Sequence, residues 1–104
     1  MRIATRKDYD FYECSSAFQK SIRRGEEKDA IFFGWELYAS GYSKYVWKRL
    51  FVIVSEDIGL ANELAPIKIQ SLYQNWLTVA EKNLEEGSLP FIHAVTYLCR
   101  SEKT

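Results

Sequence analysis

Residues 50–61 read Leu50-Phe51-Val52-Ile53-Val54-Ser55-Glu56-Asp57-Ile58-Gly59-Leu60-Ala61, an apolar run followed at once by two carboxylates and a glycine. The apolar run is compatible with a buried strand, because β-branched residues favour strands. Val46, Leu50 and Val54 recur every four residues, however, and this spacing favours a helix. We therefore predict a buried helix that ends in a structural junction at Glu56, Asp57 and Gly59.

The two adjacent carboxylates are compatible with an acid/base or metal site, with a helix cap, or with an anchor for a cation. Neighbouring residues on a helix point about 100° apart, so Glu56 and Asp57 are poorly placed to share one substrate or metal ion. A catalytic constellation also needs a third partner, which the adjacent sequence does not supply. We predict that Asp57 caps or braces the turn at Gly59 and that Glu56 pairs with Arg49 or with an arginine of another helix.

Length and composition indicate one globular domain. The chain has 104 residues, of which 47% are hydrophobic and 27% charged, and this is sufficient for a core without disulfides or metals. We predict a single helical domain over residues 1–104, with a polar lead at 1–8 and a tail at 101–104.

The region before the junction predicts three helices. Phe11, Cys14, Phe18 and Ile22 form one face of a first helix, which Asp8 or Asp10 caps and Gly25 ends. A second helix starts at the acidic residues that follow Gly25 and ends at Gly41. Its inward stripe contains a glycine that we expect to permit close approach of another backbone; the stripe is Ala30, Phe33, Gly34 and Leu37. Ser43 is a possible N-cap of the third helix.

The region after the junction predicts two more helices. Asn62 can cap the fourth, whose apolar period continues up to Glu85-Glu86-Gly87. Ser88 can cap the fifth, whose inward face is Phe91, Val95 and Leu98. About five helices with short connections imply an all-α domain of the orthogonal or bundle type.

The sequence contains no motif for nucleotide or metal chemistry. Phosphate-binding glycine loops, His-Glu-x-x-His and Gly-x-Ser-x-Gly are absent from it. The two cysteines, Cys14 and Cys99, are far apart and are predicted to be buried thiols. His93 has no second ligand at a suitable spacing. We predict no catalytic residue, no metal site and no cofactor.

Charge and aromatic content bear on the partners. With 14 Lys+Arg and 14 Asp+Glu the formal net charge is zero, so the basic excess of a dedicated nucleic-acid-binding protein is missing. A contact to DNA or to a protein partner would come from a local basic patch, for which the candidates are Lys20, Arg23, Arg24, Lys44, Lys48 and Arg49. Three Trp, seven Tyr and six Phe exceed what a small core needs and favour self-association, because aromatic residues are enriched at interfaces.

The sequence predicts a soluble, cytoplasmic protein with no membrane association. Its longest apolar runs are far shorter than the roughly 18 residues of a membrane span. The beginning of the chain, Met1-Arg2-Ile3-Ala4-Thr5-Arg6-Lys7, lacks the apolar core of a signal peptide.

Two segments resemble a known family when they are taken together. Ser16-Ala17-Phe18-Gln19-Lys20-Ser21-Ile22-Arg23 resembles its Ser-Ala-Leu-x-Lys-Ser-x-Arg signature. Lys48-Arg49-Leu50, followed by Ser55-Glu56-Asp57-Ile58-Gly59-Leu60-Ala61, resembles Arg-Arg-Leu-x-x-x-Ala-Ser-Glu-Asp-Ile-Gly-Leu-Ala. Both signatures belong to the C-terminal region of the replication-associated recombination protein A (RarA/MgsA, Werner-helicase-interacting protein) family of AAA+ ATPases.

The resemblance implies a helical domain similar to the clamp-loader collar, the part that assembles subunits into tetramers in this family. It implies a homo-oligomer, a dimer or tetramer, that acts beside a replication or repair ATPase. It does not imply ATPase activity, because the family's Walker motifs lie in a portion that this sequence does not contain. The sequence departs from the family pattern at Tyr42-Ser43, where the family usually has Asp-Pro, and in the aliphatic residues 51–54.

Overall fold

A computed structural model describes residues 2–104; Met1, the first residue of the predicted lead, lies outside the described residues. Over this range the chain forms five α-helices and no β-strand, which confirms the predicted all-α class. The helices are α1 (Phe11–Arg23), α2 (Glu27–Leu37), α3 (Ser43–Ile53), α4 (Ala65–Ala80) and α5 (Ser88–Arg100).

The first helix forms as its sequence predicts. The Asp10 side chain caps it by accepting a hydrogen bond from the backbone N–H of Glu13 at 3.0 Å, which satisfies one of the free donors at a helix start. Gly25 follows the last turn at φ +71°, a left-handed conformation that glycine adopts without a Cβ penalty. The predicted inward face is buried: Phe11, Cys14, Phe18 and Ile22.

The second helix lies between α1 and α5, and Gly34 makes this packing possible. A Cβ atom at Gly34 would lie 2.7 Å from Cε1 of Phe18 and 3.2 Å from Cζ of Phe91. The prediction that Gly34 permits close approach of another backbone is therefore wrong. Side chains, and not a backbone, approach Gly34 closely. The space that the missing side chain leaves is filled by two aromatic rings, one from each neighbouring helix.

Aromatic side chains hold α3, α4 and α5 together. Trp47 on α3 contacts Trp76 on α4 and Phe91 on α5, with ring centroids 5.8 and 5.9 Å apart. The Tyr38 hydroxyl accepts a hydrogen bond from Nε1 of Trp76 at 2.9 Å and donates one to the backbone carbonyl of Leu84 at 2.8 Å. Much of the aromatic content therefore belongs to the core.

Three predicted helix caps are wrong. Ser43 and Ser88 are the first residues of their helices, and the preceding Tyr42 and Gly87 make no side-chain cap. Asn62 lies before α4, whose N-cap position is Leu64. The Asn62 side-chain oxygen accepts a hydrogen bond from the backbone N–H of Leu64 at 3.2 Å, and its amide nitrogen donates to the Tyr97 hydroxyl at 2.8 Å. Asn62 therefore fixes the turn before α4 through its oxygen and connects this turn to α5 through its nitrogen.

The fourth helix ends earlier than its apolar period predicts. It stops at Ala80, and not near Glu86. The Asn83 side-chain oxygen accepts hydrogen bonds from the backbone N–H groups of Glu85 and Glu86 at 2.9 and 3.3 Å. These bonds replace helical ones and favour a turn, which directs the chain back into α5.

Both cysteines are buried and free, as the sequence predicts. Burial raises the pKa of each thiol to about 11, and Glu36 contributes to this at Cys14. Because the thiolate is the reactive form, we expect slow labelling of both cysteines by a disulfide reagent at neutral pH, accelerated by at least about tenfold in denaturant. Equal rates with and without denaturant would contradict the buried positions.

No helix within residues 2–104 is long and apolar enough to cross a membrane.

Candidate functional site

The junction predicted from the sequence is a distinct turn between α3 and α4. After Ile53 the backbone widens into a π-helical turn at Val54–Ile58, and a short 3-10 turn follows at Gly59–Ala61. Ile58 is fully buried, whereas Glu56 is exposed and Asp57 half-buried. Gly59 adopts φ +50°, which a side chain would strain. An apolar anchor and a glycine therefore reverse the chain, and the carboxylates stay near the surface.

The side-chain amide of Gln19, on α1, connects this turn to two helices. Its nitrogen donates to Glu56 Oε2 at 2.7 Å and to Asp57 Oδ2 at 3.1 Å. Its oxygen accepts from Nη2 and Nε of Arg49 at 2.8 and 3.2 Å. One amide thus uses its donor face for the carboxylates and its acceptor face for the guanidinium, as its hydrogen-bonding groups allow.

The predicted pairing of Glu56 with Arg49 is therefore wrong. Arg49 makes no ion pair with either carboxylate in the described part of the chain, because Gln19 lies between them and hydrogen-bonds to both sides. A neutral amide in this position keeps the opposite charges apart while each still has a polar partner. The register of α1 against α3 and the turn thus depends on hydrogen bonds to one side chain.

The end of the chain adds a further contact to the junction. The backbone N–H of Thr104 donates to the carbonyl of Asp57 at 2.9 Å. The Thr104 side chain lies 3.5 Å from the position that a Cβ on Gly59 would occupy. Asp57 therefore braces the turn through both its carboxylate and its backbone carbonyl.

This geometry favours a structural role for the junction. Glu56 and Asp57 both accept hydrogen bonds from the same amide group, that of Gln19. Within residues 2–104 no three His, Cys, Asp or Glu side chains are grouped so that they could hold a metal ion. What the arrangement can do is fix the angle between the end of α3 and the start of α4.

We expect replacement of Asp57 by alanine to destabilise the fold by about 1 kcal/mol, because one hydrogen bond to a half-buried carboxylate is lost. Assembly, if it depends on this turn, should weaken together with folding. Urea unfolding followed by circular dichroism measures the change. An Asp57→Ala variant that is as stable as the parent and assembles normally would refute the structural role.

A double-mutant cycle separates the contact with Gln19 from other effects. Gln19→Ala should cost more than Asp57→Ala, since Gln19 also contacts Arg49 and Glu56. The two changes together should cost less than their sum by roughly 0.5 kcal/mol, as expected for residues in one network. Glu13→Ala, at an exposed position on the same helix, serves as the control. Its effect on the free energy of unfolding should add to that of Asp57→Ala without coupling.

The six basic candidates do not form one uniform group. Five are exposed and make no hydrogen bond or ion pair to a side chain anywhere in residues 2–104; they are Lys20, Arg23, Arg24, Lys44 and Lys48. Arg49 is half-buried and bonded to Gln19. Lys20 and Arg23 lie in the last turn of α1, as predicted, where they complement the helix dipole. Arg49 is thus part of the junction and less available to a partner than the other five.

A buried carboxylate at Glu36 was not among the residues predicted from the sequence. This side chain is 1% exposed and binds the lead of the chain. It accepts a hydrogen bond from the Thr5 hydroxyl at 2.6 Å, one from the backbone N–H of Lys7 at 2.9 Å and one from Nε of Arg6 at 3.3 Å. Residues 5–7 of the predicted polar lead are therefore fixed against α2.

These hydrogen bonds favour the ionised form of the Glu36 carboxylate. Burial acts to raise its pKa, but the hydrogen bonds from Thr5, Lys7 and Arg6 and the charge of Arg6 outweigh burial, so the pKa lies below the usual value. A signal for this site was present in the sequence: Glu36 is the only charged residue between Ala30 and Ser43. A lone carboxylate in an apolar helix needs polar partners.

Comparison with known proteins extends these observations. Residues 25–104 match the family model described as MgsA AAA+ ATPase C terminal. Replication-associated recombination protein A of Bacillus subtilis is 36% identical over 99 residues, which cover 94% of this chain and 23% of the relative. The protein of the same name from Haemophilus influenzae is 33% identical over 96 residues, covering 90% and 21%.

An AAA domain-containing protein of Mycobacterium tuberculosis is 30% identical over 107 residues, which cover 99% of this chain and 23% of the relative. The chain thus spans less than a quarter of the length of these curated relatives. The family model covers most of this chain, including the junction and four of the five helices. The chain therefore belongs to the MgsA AAA+ ATPase C-terminal family.

Proposed function

We propose that this chain is a non-enzymatic assembly module of the cytoplasm that associates with itself, as a dimer or tetramer, and docks onto a replication or repair ATPase. The observation that carries the proposal is the match to the C-terminal part of AAA+ ATPases. Relatives of this chain are named for replication-associated recombination. The matched region is the C-terminal part of these ATPases, and we infer that it contributes to such a machine by binding the other parts.

The surface of the chain supports a binding role. Several large apolar side chains remain exposed although the aromatic core is well packed; Leu60 is 84%, Leu89 72% and Ile67 67% exposed. Single exposed leucines are ordinary. Leu77 and Leu84, however, are also exposed and line one groove together, and grouped apolar surface is typical of protein interfaces.

Light scattering coupled to size-exclusion chromatography tests the self-association. We expect a mass above that of the monomer that rises with protein concentration. A monomer at every concentration would refute this part of the proposal. Co-purification with a replication or repair ATPase, with an unrelated helical domain of similar size as the control, tests the docking separately.

A second candidate function is DNA binding through the basic patch. It is favoured by the five exposed cations that have no carboxylate partner within residues 2–104, Lys20, Arg23, Arg24, Lys44 and Lys48. Such a patch would contact phosphates without reading sequence.

Fluorescence anisotropy with single-stranded and forked DNA tests this alternative. The affinity should fall as salt rises, with a logarithmic slope of roughly −0.7 for each phosphate neutralised on a single strand. Lys20→Glu should weaken binding, whereas Lys28→Glu, an exposed lysine outside the patch, should change it less. No binding at low salt would remove this function.

A further inference from the structure

Helix α4 has an unusual composition for a surface helix. Nine of its 16 residues are exposed, yet Lys68 is its only charged residue. The chain as a whole is 27% charged, so an exposed helix of this length would ordinarily carry several charges. Depletion of charge together with exposed apolar side chains is the composition of an interface core.

Apolar side chains of α3, which runs antiparallel to α4, continue this surface, although α3 also carries the exposed cations Lys44 and Lys48. Phe51 contacts Tyr73, with ring centroids 5.3 Å apart, and Trp47 contacts Trp76. A groove of about 530 Å³ lies where α3 ends and α4 begins, lined by Phe51, Val54, Ser55, Pro66, Ile67 and Gln70. A second of about 510 Å³ lies at the other end, lined by Ser43, Lys44, Trp76, Leu77, Ala80, Glu81 and Leu84. We call the surface formed by these two grooves the α3–α4 face.

The charges at one end of the α3–α4 face are complementary to each other. Lys44 on α3 and Glu81 just after α4 both line the second groove. Both are exposed, and they make no ion pair with each other or with another residue of the described chain. Lys44 and Glu81 lie at the same height on two antiparallel helices. In a second copy of the chain, Glu81 can therefore pair with this Lys44, and Lys44 with this Glu81.

A two-fold axis parallel to the helices produces that arrangement. Such an axis places α3 of one copy against α4 of the other at the same height and in the antiparallel direction. Each Lys44 then faces the partner's Glu81, twice in the dimer, and the grooves of the two copies meet. An isologous contact requires a surface that is complementary to itself. In the α3–α4 face the Lys44–Glu81 pair and the apolar linings of the two grooves meet this requirement, while Lys48 remains a cation without an ion pair in the described chain.

We propose that the α3–α4 face binds a second copy of this chain, with Lys44 of each copy paired to Glu81 of the other. This inference rests on the proposed self-association and assigns its surface. The face is about 24 Å long, from the rise of a 16-residue helix, and about 20 Å wide, from two helix diameters. Its footprint of roughly 500 Å² is below the roughly 800 Å² per partner of a standard stable interface, so the dimer should be weak and in exchange with monomer.

Sedimentation velocity over a wide concentration range tests the face by charge exchange. Lys44→Glu places like charges opposite each other and should raise the dimer dissociation constant by on the order of tenfold; Glu81→Lys should do the same. The double variant Lys44→Glu/Glu81→Lys restores opposite charges and should recover most of the affinity. Recovery by the double variant is a result that loss of fold stability cannot produce.

Two leucine substitutions, one inside the second groove and one outside both grooves, provide a matched apolar test and its control. Leu77→Glu, within the second groove, should also raise the dissociation constant by at least about tenfold. Leu89→Glu, on α5 and outside both grooves, should leave it unchanged. Circular dichroism establishes that each variant remains helical.

The outcomes distinguish the surface from the function. A parent chain that is monomeric at every concentration overturns both the self-association and this inference. A parent that self-associates, with Lys44→Glu and Leu77→Glu variants that associate equally well, overturns the inference alone and leaves the proposed function in place.

Discussion

Replacing Glu36 with alanine is expected to destabilise the protein by about 3 kcal/mol. The carboxylate accepts three hydrogen bonds, from the Thr5 hydroxyl, the Lys7 backbone N–H and Nε of Arg6. Its loss leaves the first two donors without a partner at a site that is almost fully buried. Each hydrogen bond to a charged group contributes about 1.5–3 kcal/mol to stability. Buried donors that lose their partner add a desolvation penalty. The expected total lies at the lower end of the range of about 3–5 kcal/mol for losing a buried charged partner.

Chemical denaturation measures this change, and Glu85→Ala provides the control. Glu85 is exposed and its side chain makes no hydrogen bond within residues 2–104, so its removal should shift stability by less than about 0.5 kcal/mol. Thr5→Val should cost roughly 1 kcal/mol, because it removes the hydroxyl donor with little change in shape. A Glu36→Ala variant within 0.5 kcal/mol of the parent, a margin set by ordinary surface substitutions, would show that the lead contributes little.

The same carboxylate predicts a dependence of stability on pH. The pKa of Glu36 is lower in the folded protein than its usual value, so the folded state binds this proton less readily than the unfolded state. The stabilisation is fully present above the unfolded pKa, about 4.3 for Glu, and is lost as the pH falls through the folded pKa. We expect the Glu36→Gln variant to show a shallower loss of stability below about pH 4.5 than the parent. Parallel profiles would contradict this assignment.

Replacing Gly34 with valine is expected to have a comparable effect, about 3 kcal/mol. The first added atom would lie 2.7 Å from Cε1 of Phe18, and that ring is fully buried, so it has little space into which to move. Overpacking of a well-packed core costs roughly 1–3 kcal/mol, and a β-branched side chain belongs at the upper end. The gain in helix propensity from Gly to Val, a few tenths of a kcal/mol, is too small to offset this.

A compensating change distinguishes overpacking from other causes. Gly34→Ala adds the Cβ alone and should cost less than Gly34→Val, because alanine regains about 1 kcal/mol of helix propensity. Phe18→Leu removes the ring atom that the Cβ meets. The double variant Gly34→Ala/Phe18→Leu should therefore be more stable than the sum of the single changes predicts. Strict additivity in thermal or urea unfolding would argue that the two side chains do not collide.

Most of the fold was predictable because it depends on local features. The face of α1 was read from apolar residues three and four positions apart, and all four of its residues are buried. Asp10 and Gly25 mark the ends of that helix by their chemistry alone. The preference for helix over strand at residues 51–54 was also correct, since α3 runs through Ile53 and a π-helical turn follows.

Two of the errors involve a distant residue that sequence spacing does not show. The Asn62 side-chain oxygen accepts from the backbone of Leu64, as its chemistry favours, but its amide nitrogen also binds Tyr97, 35 residues away. Glu56 and Arg49 have opposite charges at a suitable spacing, but Gln19 lies between them and is 37 residues from Glu56 and 30 from Arg49. Sequence spacing describes neighbours along one helix, and it carries no information about which residue of another helix intervenes.

The partners of Glu36 also could not be predicted from sequence spacing. Its position as a lone charge in an apolar helix was visible in the sequence, but its partners lie 29 to 31 residues away in the lead. The α3–α4 face is a mixed case. The absence of charge from α4, apart from Lys68, can be read from the sequence, whereas the opposition of Lys44 and Glu81 requires the antiparallel packing of two helices.

At Glu56-Asp57, too, one part of the structure follows from the sequence and another part from the tertiary packing. The order of amino acids was enough to indicate a turn after a buried helix, because an apolar run, two carboxylates and a glycine with positive φ are local requirements of such a turn. The tertiary structure alone decided what the carboxylates do there. Only the packing of α1 against α3 brings the Gln19 amide between Arg49 and the turn, and a hydrogen bond depends on distance in space.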